Sequence, residues 1–166
     1  MLEKLFKKKV KSDKEIIYSP LDGKVIPLEK VPDPVFSQKL MGEGLAVYPS
    51  KGLLVSPVDG EIIQVFNTKH AIGIYSVNGL ELLIHVGLET VELQGEGFNV
   101  LVKQGQKVKV GDPLLEFDIE FIKNHNKDTV TPIIITNSSE KIESIVQNSA
   151  EEVSKGEPLF TCKLKM

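Results

Sequence analysis

From Glu15 onward the chain is written in short apolar runs separated by turn residues. Breaks fall at Ser19-Pro20-Leu21-Asp22-Gly23, Pro32-Asp33-Pro34, Gly42-Glu43-Gly44, Pro57-Val58-Asp59-Gly60, Asn78-Gly79, Gly95-Glu96-Gly97 and Gly111-Asp112-Pro113. Asp-Gly and Asn-Gly steps suit tight turns because these residues tolerate positive φ. Between the breaks, residues 45–48, 61–66, 71–77, 80–86, 114–118 and 132–136 have the composition of strands. Many short strands at close spacing predict an all-β protein, an antiparallel β-sandwich with a few short helices. Two stretches read as helix: residues 119–125, and residues 138–147 with Asn137 as N-cap and Glu140 three residues on.

Two internal echoes add to this pattern. Ser19-Pro-Leu-Asp-Gly-Lys-Val-Ile26 recurs as Ser56-Pro-Val-Asp-Gly-Glu-Ile-Ile63, with five identities in eight positions. Val108-Lys-Val-Gly-Asp-Pro-Leu-Leu115 recurs as Val153-Ser-Lys-Gly-Glu-Pro-Leu-Phe160. Two copies of each unit predict a sandwich with duplicated, hybrid-motif halves and not a solenoid. The first residues differ from the rest: Leu2, Leu5, Phe6 and Val10 recur at helical spacing among lysines. Residues 1–14 therefore read as a basic, amphipathic tail and residues 15–166 as one sandwich domain. For residues 1–12, weak contact with an anionic membrane surface and a solvated tail both remain open.

Charge narrows the partners. Residues 1–14 hold six lysines against Glu3 and Asp13, a net +4, so within a total of −3 the remainder carries −7. All 20 basic residues are lysine, so bidentate arginine readout of phosphate or guanine is not available to this chain. An acidic body points away from nucleic acid and towards basic protein partners. Cys162 is the single cysteine, which excludes an intrachain disulfide and suits the cytoplasm. Within the strand-like Leu159-Phe160-Thr161-Cys162 it reads as a small core residue.

Candidate chemistry reduces to three histidines. His125 lies in the polar Lys123-Asn-His-Asn-Lys127 and reads as a surface residue. His85 ends the run Leu80-Glu-Leu-Leu-Ile84, and strand alternation puts it on the face of Leu83, opposite Leu82, Ile84 and Val86. His70 opens the next run back, its face expected to carry Ile72 and Ile74, with Thr68 on its side. If those strands pair, the two imidazoles meet on one apolar surface. Read from the residues alone, such a pair is open to three interpretations: satisfied core histidines, a zinc site lacking its usual third ligand, or phosphoryl transfer. In the last, one neutral ring attacks phosphorus while the other donates a hydrogen bond to the phosphoryl oxygens.

Several segments together resemble enzyme IIA of the glucose class in the bacterial phosphoenolpyruvate-dependent sugar phosphotransferase system. They are Ser56-Pro-Val-Asp-Gly60, Thr68-Lys-His-Ala71, Glu81-Leu-Leu-Ile-His-Val-Gly-Leu-Glu-Thr-Val91, Gly95-Glu-Gly-Phe98 and Val108-Lys-Val-Gly-Asp112. The resemblance runs from about residue 15 to residue 163, with its strongest signal around His85. It implies a cytoplasmic, monomeric phosphoryl carrier without cofactor or intrinsic metal. His85 would accept the group from the carrier protein HPr and donate it to a cysteine of a sugar-specific IIB domain. It further implies that His70 binds the phosphoryl oxygens, that Thr68 bonds His70, and that the Gly87 carbonyl holds Nδ1–H of His85. The docking face is expected from Val35, Phe36, Leu40, Met41, Phe66 and Leu83, with Asp33 and Glu89 at its acidic rim. Unphosphorylated members of the family also bind regulatory protein targets, and the two histidines can share zinc at a partner interface.

Departures from the family pattern concern partners more than chemistry. Lys69 stands where asparagine is expected, Leu83 and Ile72 where phenylalanine is common, and Glu89 where the family has aspartate. Two rival readings fit less well. A zinc peptidase of lysostaphin type needs a His-x-His pair, but the residue two after His85 is Gly87. A lipoyl- or biotinyl-type binding module needs an exposed lysine in a tight hairpin, and no Met-Lys-Met occurs.

Overall fold

Turn punctuation translates directly into strands. The computed structural model describes residues 12–148 and 151–166, so the basic segment at 1–11 and its membrane reading lie outside the described residues. The largest sheet has eight strands. Edge to edge they are β13 (Glu152–Val153), β2 (Gly23–Pro27), β3 (Glu43–Pro49), β11 (Thr131–Ile135), β7 (Glu81–His85), β6 (Ala71–Ser76), β5 (Gly60–Val65) and β9 (Lys107–Val108). Facing it are two three-stranded sheets. One is ordered β1 (Lys14–Tyr18), β14 (Pro158–Leu164), β12 (Ile142–Gln147), the other β4 (Leu53–Val55), β10 (Pro113–Phe117), β8 (Phe98–Val100). Every pairing among the described residues is antiparallel. The protein is an all-β antiparallel sandwich, as its turn spacing predicts.

The central strands of the large sheet are apolar on both faces. Leu45 and Val47, Ile72 and Ile74, Leu82 and Ile84, and Ile133 and Ile135 point into the main core between the sheets. Their alternates Ala46, Ala71, Leu83 and Ile134 point the other way, into a second cluster with Leu28, Val31, Phe36, Leu88 and Val130. Alternation on a two-sided sheet produces the continuous apolar runs of β7 and β11. That second cluster lies beneath the candidate functional site.

The sequence echoes occupy matching positions. Ser19 Oγ donates to Leu21 O and Ser56 Oγ to Val58 O, each at 2.7 Å. Tyr18 N donates to Pro57 O at 3.0 Å, and Val55 N to Pro20 O at 2.9 Å, so each repeated turn is bonded by the residue preceding the other. The second pair of echoes docks onto the first in the same way in both halves. Asp22 Oδ1 accepts from Lys155 N at 2.7 Å, and Asp59 Oδ1 accepts from Val110 N at 2.9 Å. Duplication is thus a pseudo-twofold relation in space as well as in sequence.

One predicted helix is corrected. Residues 119–125 are helical as Ile119–Asn124 (α2), capped by Asp118, whose side chain accepts from Phe121 N at 3.0 Å. Before it, Pro34–Ser37 forms a short helix (α1). The helix expected over 138–147 stops at Ser138–Lys141 (α3), and residues 142–147 are strand β12. Asn137 caps nothing with its side chain; Oδ1 accepts from Glu81 N at 2.9 Å and Nδ2 donates to Gly79 O at 3.0 Å. A helix of that length is marginal alone, whereas Ile142, Ile145 and Val146 gain an antiparallel ladder against β14, interrupted once between Ile142 and Ser144.

Ser19 and Ser56 are both fully buried, and removing either hydroxyl leaves a carbonyl unsatisfied. Ser19→Ala and Ser56→Ala are each expected to lower stability by about 1–2 kcal/mol. Urea unfolding of the two variants should give matching losses; a loss at one site only would deny that the halves are mechanically equivalent.

Candidate functional site

Two sheet strands converge here. β6 and β7 pair so that Ala71 lies opposite His85, and His70 O accepts from Val86 N at 2.8 Å. By continued alternation His70 would share the face of Ile72 and Ile74, as the sequence predicts, but those two side chains enter the main core. The expectation is corrected by the turn before β6: Lys69 is left-handed at φ 63°, with its N–H bonded to Phe66 O at 2.8 Å. The chain leaves the alternating pattern there, and the His70 ring comes to lie against His85. Ring centroids are 4.8 Å apart with planes at 81°, an edge-to-face pair.

Each ring is held by a residue two positions away. His85 Nδ1 lies 2.7 Å from Gly87 O. A carbonyl only accepts, so Nδ1 carries the proton and Nε2 keeps its lone pair. His70 Nδ1 lies 2.9 Å from Thr68 Oγ1, a hydroxyl that can give or take the proton. Phe36 and Phe66 bracket the pair: Phe36 is 5.2 Å from the His85 ring and Phe66 5.7 Å from the His70 ring. His125 is exposed at the C-cap of α2, bonded to Phe121 O, and takes no part.

Burial sets the protonation. It pushes the His70 pKa down to about 4, with charge repulsion from His85 second and a hydrogen bond to the Thr68 backbone opposing both. His85 is also lowered by burial, less the support of the Gly87 carbonyl and the Asp33 carboxylate. Both rings are therefore neutral at neutral pH. Two neutral imidazoles in one apolar pocket, one with a directed lone pair, can act as nucleophile and hydrogen-bond donor.

The rest of the predicted face divides into a floor and a surface. Phe36 and Leu83 are buried beneath the rings, Phe66 is half-buried, and Val35, Leu40 and Met41 are exposed. Asp33 caps α1 by accepting from Val35 N at 3.0 Å. Asp33 and Glu89 line one cleft of about 370 Å³ together with Leu88, Lys127 and Asp128. Glu89 is itself left-handed, at φ 57°. Lys127 pairs with Glu92 at this edge. Among the described residues no set of three or more His, Cys, Asp or Glu is placed to hold a metal ion. Nor is any described helix long and apolar enough to cross a membrane.

Thr90 is a residue that sequence reasoning passed over. Its Oγ1 donates to Val86 O at 2.5 Å, and its methyl lies 2.6 Å from where a Cβ on Gly87 would sit. Gly87, at φ 76°, is also closed in by the Asp128 carbonyl, so only glycine fits where the chain must aim its carbonyl at His85. The signal lay in the Gly87-Leu-Glu-Thr90 spacing, which carries no meaning without the turn.

The model of the family described as the phosphoenolpyruvate-dependent sugar phosphotransferase system, EIIA 1, matches residues 15–142. A Staphylococcus epidermidis protein named PTS system glucose-specific EIIA component is 52% identical over 158 residues, covering 95% of each chain. A Bacillus cereus protein of the same name is 53% identical over 156 residues, covering 94% of each. The solved glucose permease IIA from Mycoplasma capricolum superposes with a TM-score of 0.83 at 34% identity, covering 90% of this chain and 96% of that one.

In the unfolded chain His70 takes a proton near ~6.5, whereas folded His70 refuses it until about pH 4. Between those values the unfolded state binds more protons, so stability falls as pH falls through the window. His70→Gln is expected to lower the slope of unfolding free energy against pH, relative to the wild type, between pH 4.5 and 6.5. An unchanged slope would show that His70 titrates normally.

Proposed function

The chain belongs to the EIIA 1 family of the phosphoenolpyruvate-dependent sugar phosphotransferase system, and from that premise we propose that it is a phosphoryl carrier working through His85. The observation that carries this reading is the ring pair at 4.8 Å with Nδ1 of His85 tied to Gly87. His85 Nε2 attacks the phosphorus of phosphohistidine on HPr; the new P–N bond forms as the donor's P–N bond breaks. The His85 ring becomes cationic while it carries the group. The Gly87 carbonyl retains the Nδ1 proton, and the Asp33 carboxylate favours the positive ring. A cysteine thiolate of a IIB domain then attacks phosphorus, and His85 leaves as a neutral imidazole.

His70 serves the phosphoryl oxygens. With the Thr68 hydroxyl donating to Nδ1, the His70 proton sits on Nε2 and points its donor at the group on His85. The buried floor of Phe36 and Leu83 limits water at the P–N bond. The exposed Val35, Leu40 and Met41 meet the partner's apolar surface, and Asp33 and Glu89 draw its basic residues. Transfer between nitrogen and sulfur needs positioning and charge, which these groups supply. Names of the relatives support a glucose-class assignment; discrimination among sugars is left to the IIB and membrane components.

With phosphoenolpyruvate, enzyme I and HPr, intact mass should show one phosphoryl group on the wild type and none on His85→Ala. His70→Gln is expected to accept the group yet pass it to IIB at least tenfold more slowly. Labelling of His85→Ala would move the nucleophile elsewhere.

A further inference from the structure

Strand β1 places a carboxyl group inside the sandwich. Along Lys14–Tyr18 the outward positions are Lys14 and Ile16, and the inward ones are Glu15 and Ile17. Glu15 is only 7% exposed, and its partner in the ladder with β14 is the fully buried Cys162. Across the sandwich it meets the turn joining β6 to β7. Ser76 Oγ donates to Glu15 Oε1 at 2.8 Å, while accepting from Leu80 N at 3.0 Å. The Asn78 side chain of the same turn also reaches the Glu15 carboxyl, and Asn78 Oδ1 is buried without a hydrogen-bond partner.

Among the described residues no cation answers this carboxyl. The groups facing it among the described residues are Ser76 at the end of β6, Asn78 from the β6–β7 turn, Asp59 from the turn before β5, and Cys162 from β14. Asp59 adds negative charge, and its own Oδ1 is committed to Val110 N. Lys14 and Tyr18 of the same strand line a shared cleft of about 240 Å³, but Lys14 forms no ion pair there among the described residues. A buried carboxylate without a cation is relieved most readily by binding a proton. An ionised carboxylate only accepts hydrogen bonds, whereas the protonated form adds an O–H donor in a turn whose Asn78 Oδ1 has no partner among the described residues.

We infer that Glu15 is a proton-operated latch: with a proton bound, it ties the first strand to the β6–β7 turn, and loss of that proton loosens the strand. Burial, aided by Asp59, raises the carboxyl pKa from 4.5 to about 7 against the lowering by Ser76 and Asn78. The folded state then holds the extra proton between those values. Its stabilisation is complete below about pH 4.5 and is lost as pH rises through about 7. This is the reverse of the His70 dependence, and it does not rest on phosphoryl transfer.

The test compares the full chain with Glu15→Gln, whose uncharged amide still accepts from Ser76 and carries a donor at every pH. The histidine contributions are common to both proteins and cancel in the comparison. From pH 6.5 to 8.5 the unfolding equilibrium constant of the wild type is expected to rise roughly fourfold relative to Glu15→Gln. Hydrogen exchange corrected for intrinsic rates should quicken in residues 14–18 and 76–80 of the wild type only. Parallel pH profiles for the two proteins would overturn the latch. Should Glu15→Gln fail to fold, the carboxyl carbon of Glu15 in the wild type decides by NMR: a midpoint near 7 supports the latch, and one between 4 and 5 removes it.

Discussion

The proposed phosphoryl transfer depends on keeping two imidazoles neutral and in contact inside an apolar pocket. Each ring would be costly to bury unless one nitrogen were satisfied locally. The chain solves this with partners two residues away: Thr68 for His70, and the Gly87 carbonyl for His85. Short-range anchors engage only Nδ1 of each ring and leave Nε2 for the proposed transfer. They also fix the His85 tautomer through a bond that a carbonyl can make in only one sense.

Everything around the pair serves that arrangement. The large sheet is apolar on both faces, so the strands carrying the histidines are clamped by the main core on one side and by the Phe36–Leu83 cluster on the other. The backbone concedes conformation where the rings need it. Lys69 and Glu89 are left-handed beside the two histidines, conformations that cost about 1 kcal/mol or more away from glycine. Such costs persist only where neighbours over-determine the chain, as the β6–β7 ladder and the Thr90–Val86 bond do here.

The duplicated frame explains why the site occurs once. The two sets of echoes share their buried serines, their reciprocal turn bonds and their Asp caps, which are devices of folding. The histidines lie outside the repeated segments, on β6, β7 and the turns beside them. At the other end of those same strands, the turn between them carries the contacts to Glu15. The sandwich of this chain therefore holds both ends of one hairpin, with the candidate site at one end only.

Much of this was legible in the residues. Turn spacing and apolar alternation announced an antiparallel sandwich, and the His85 segment announced the family, because both signals are local and repeat along the chain. Alternation also placed Leu83 with His85 and opposite Leu82 and Ile84, as the two apolar clusters have it. What required tertiary structure was whatever depends on a partner distant in sequence. Residues 142–147 are strand because β14 supplies their ladder, a gain that no local helix propensity reveals. His70 turns towards His85 because a left-handed residue breaks the alternation before β6, and alternation alone assigned it the wrong face. Glu15 looks like an ordinary solvated charge until packing puts it inside. A sequence states which side chains a strand offers to each face; only the assembled sheets decide what each face meets.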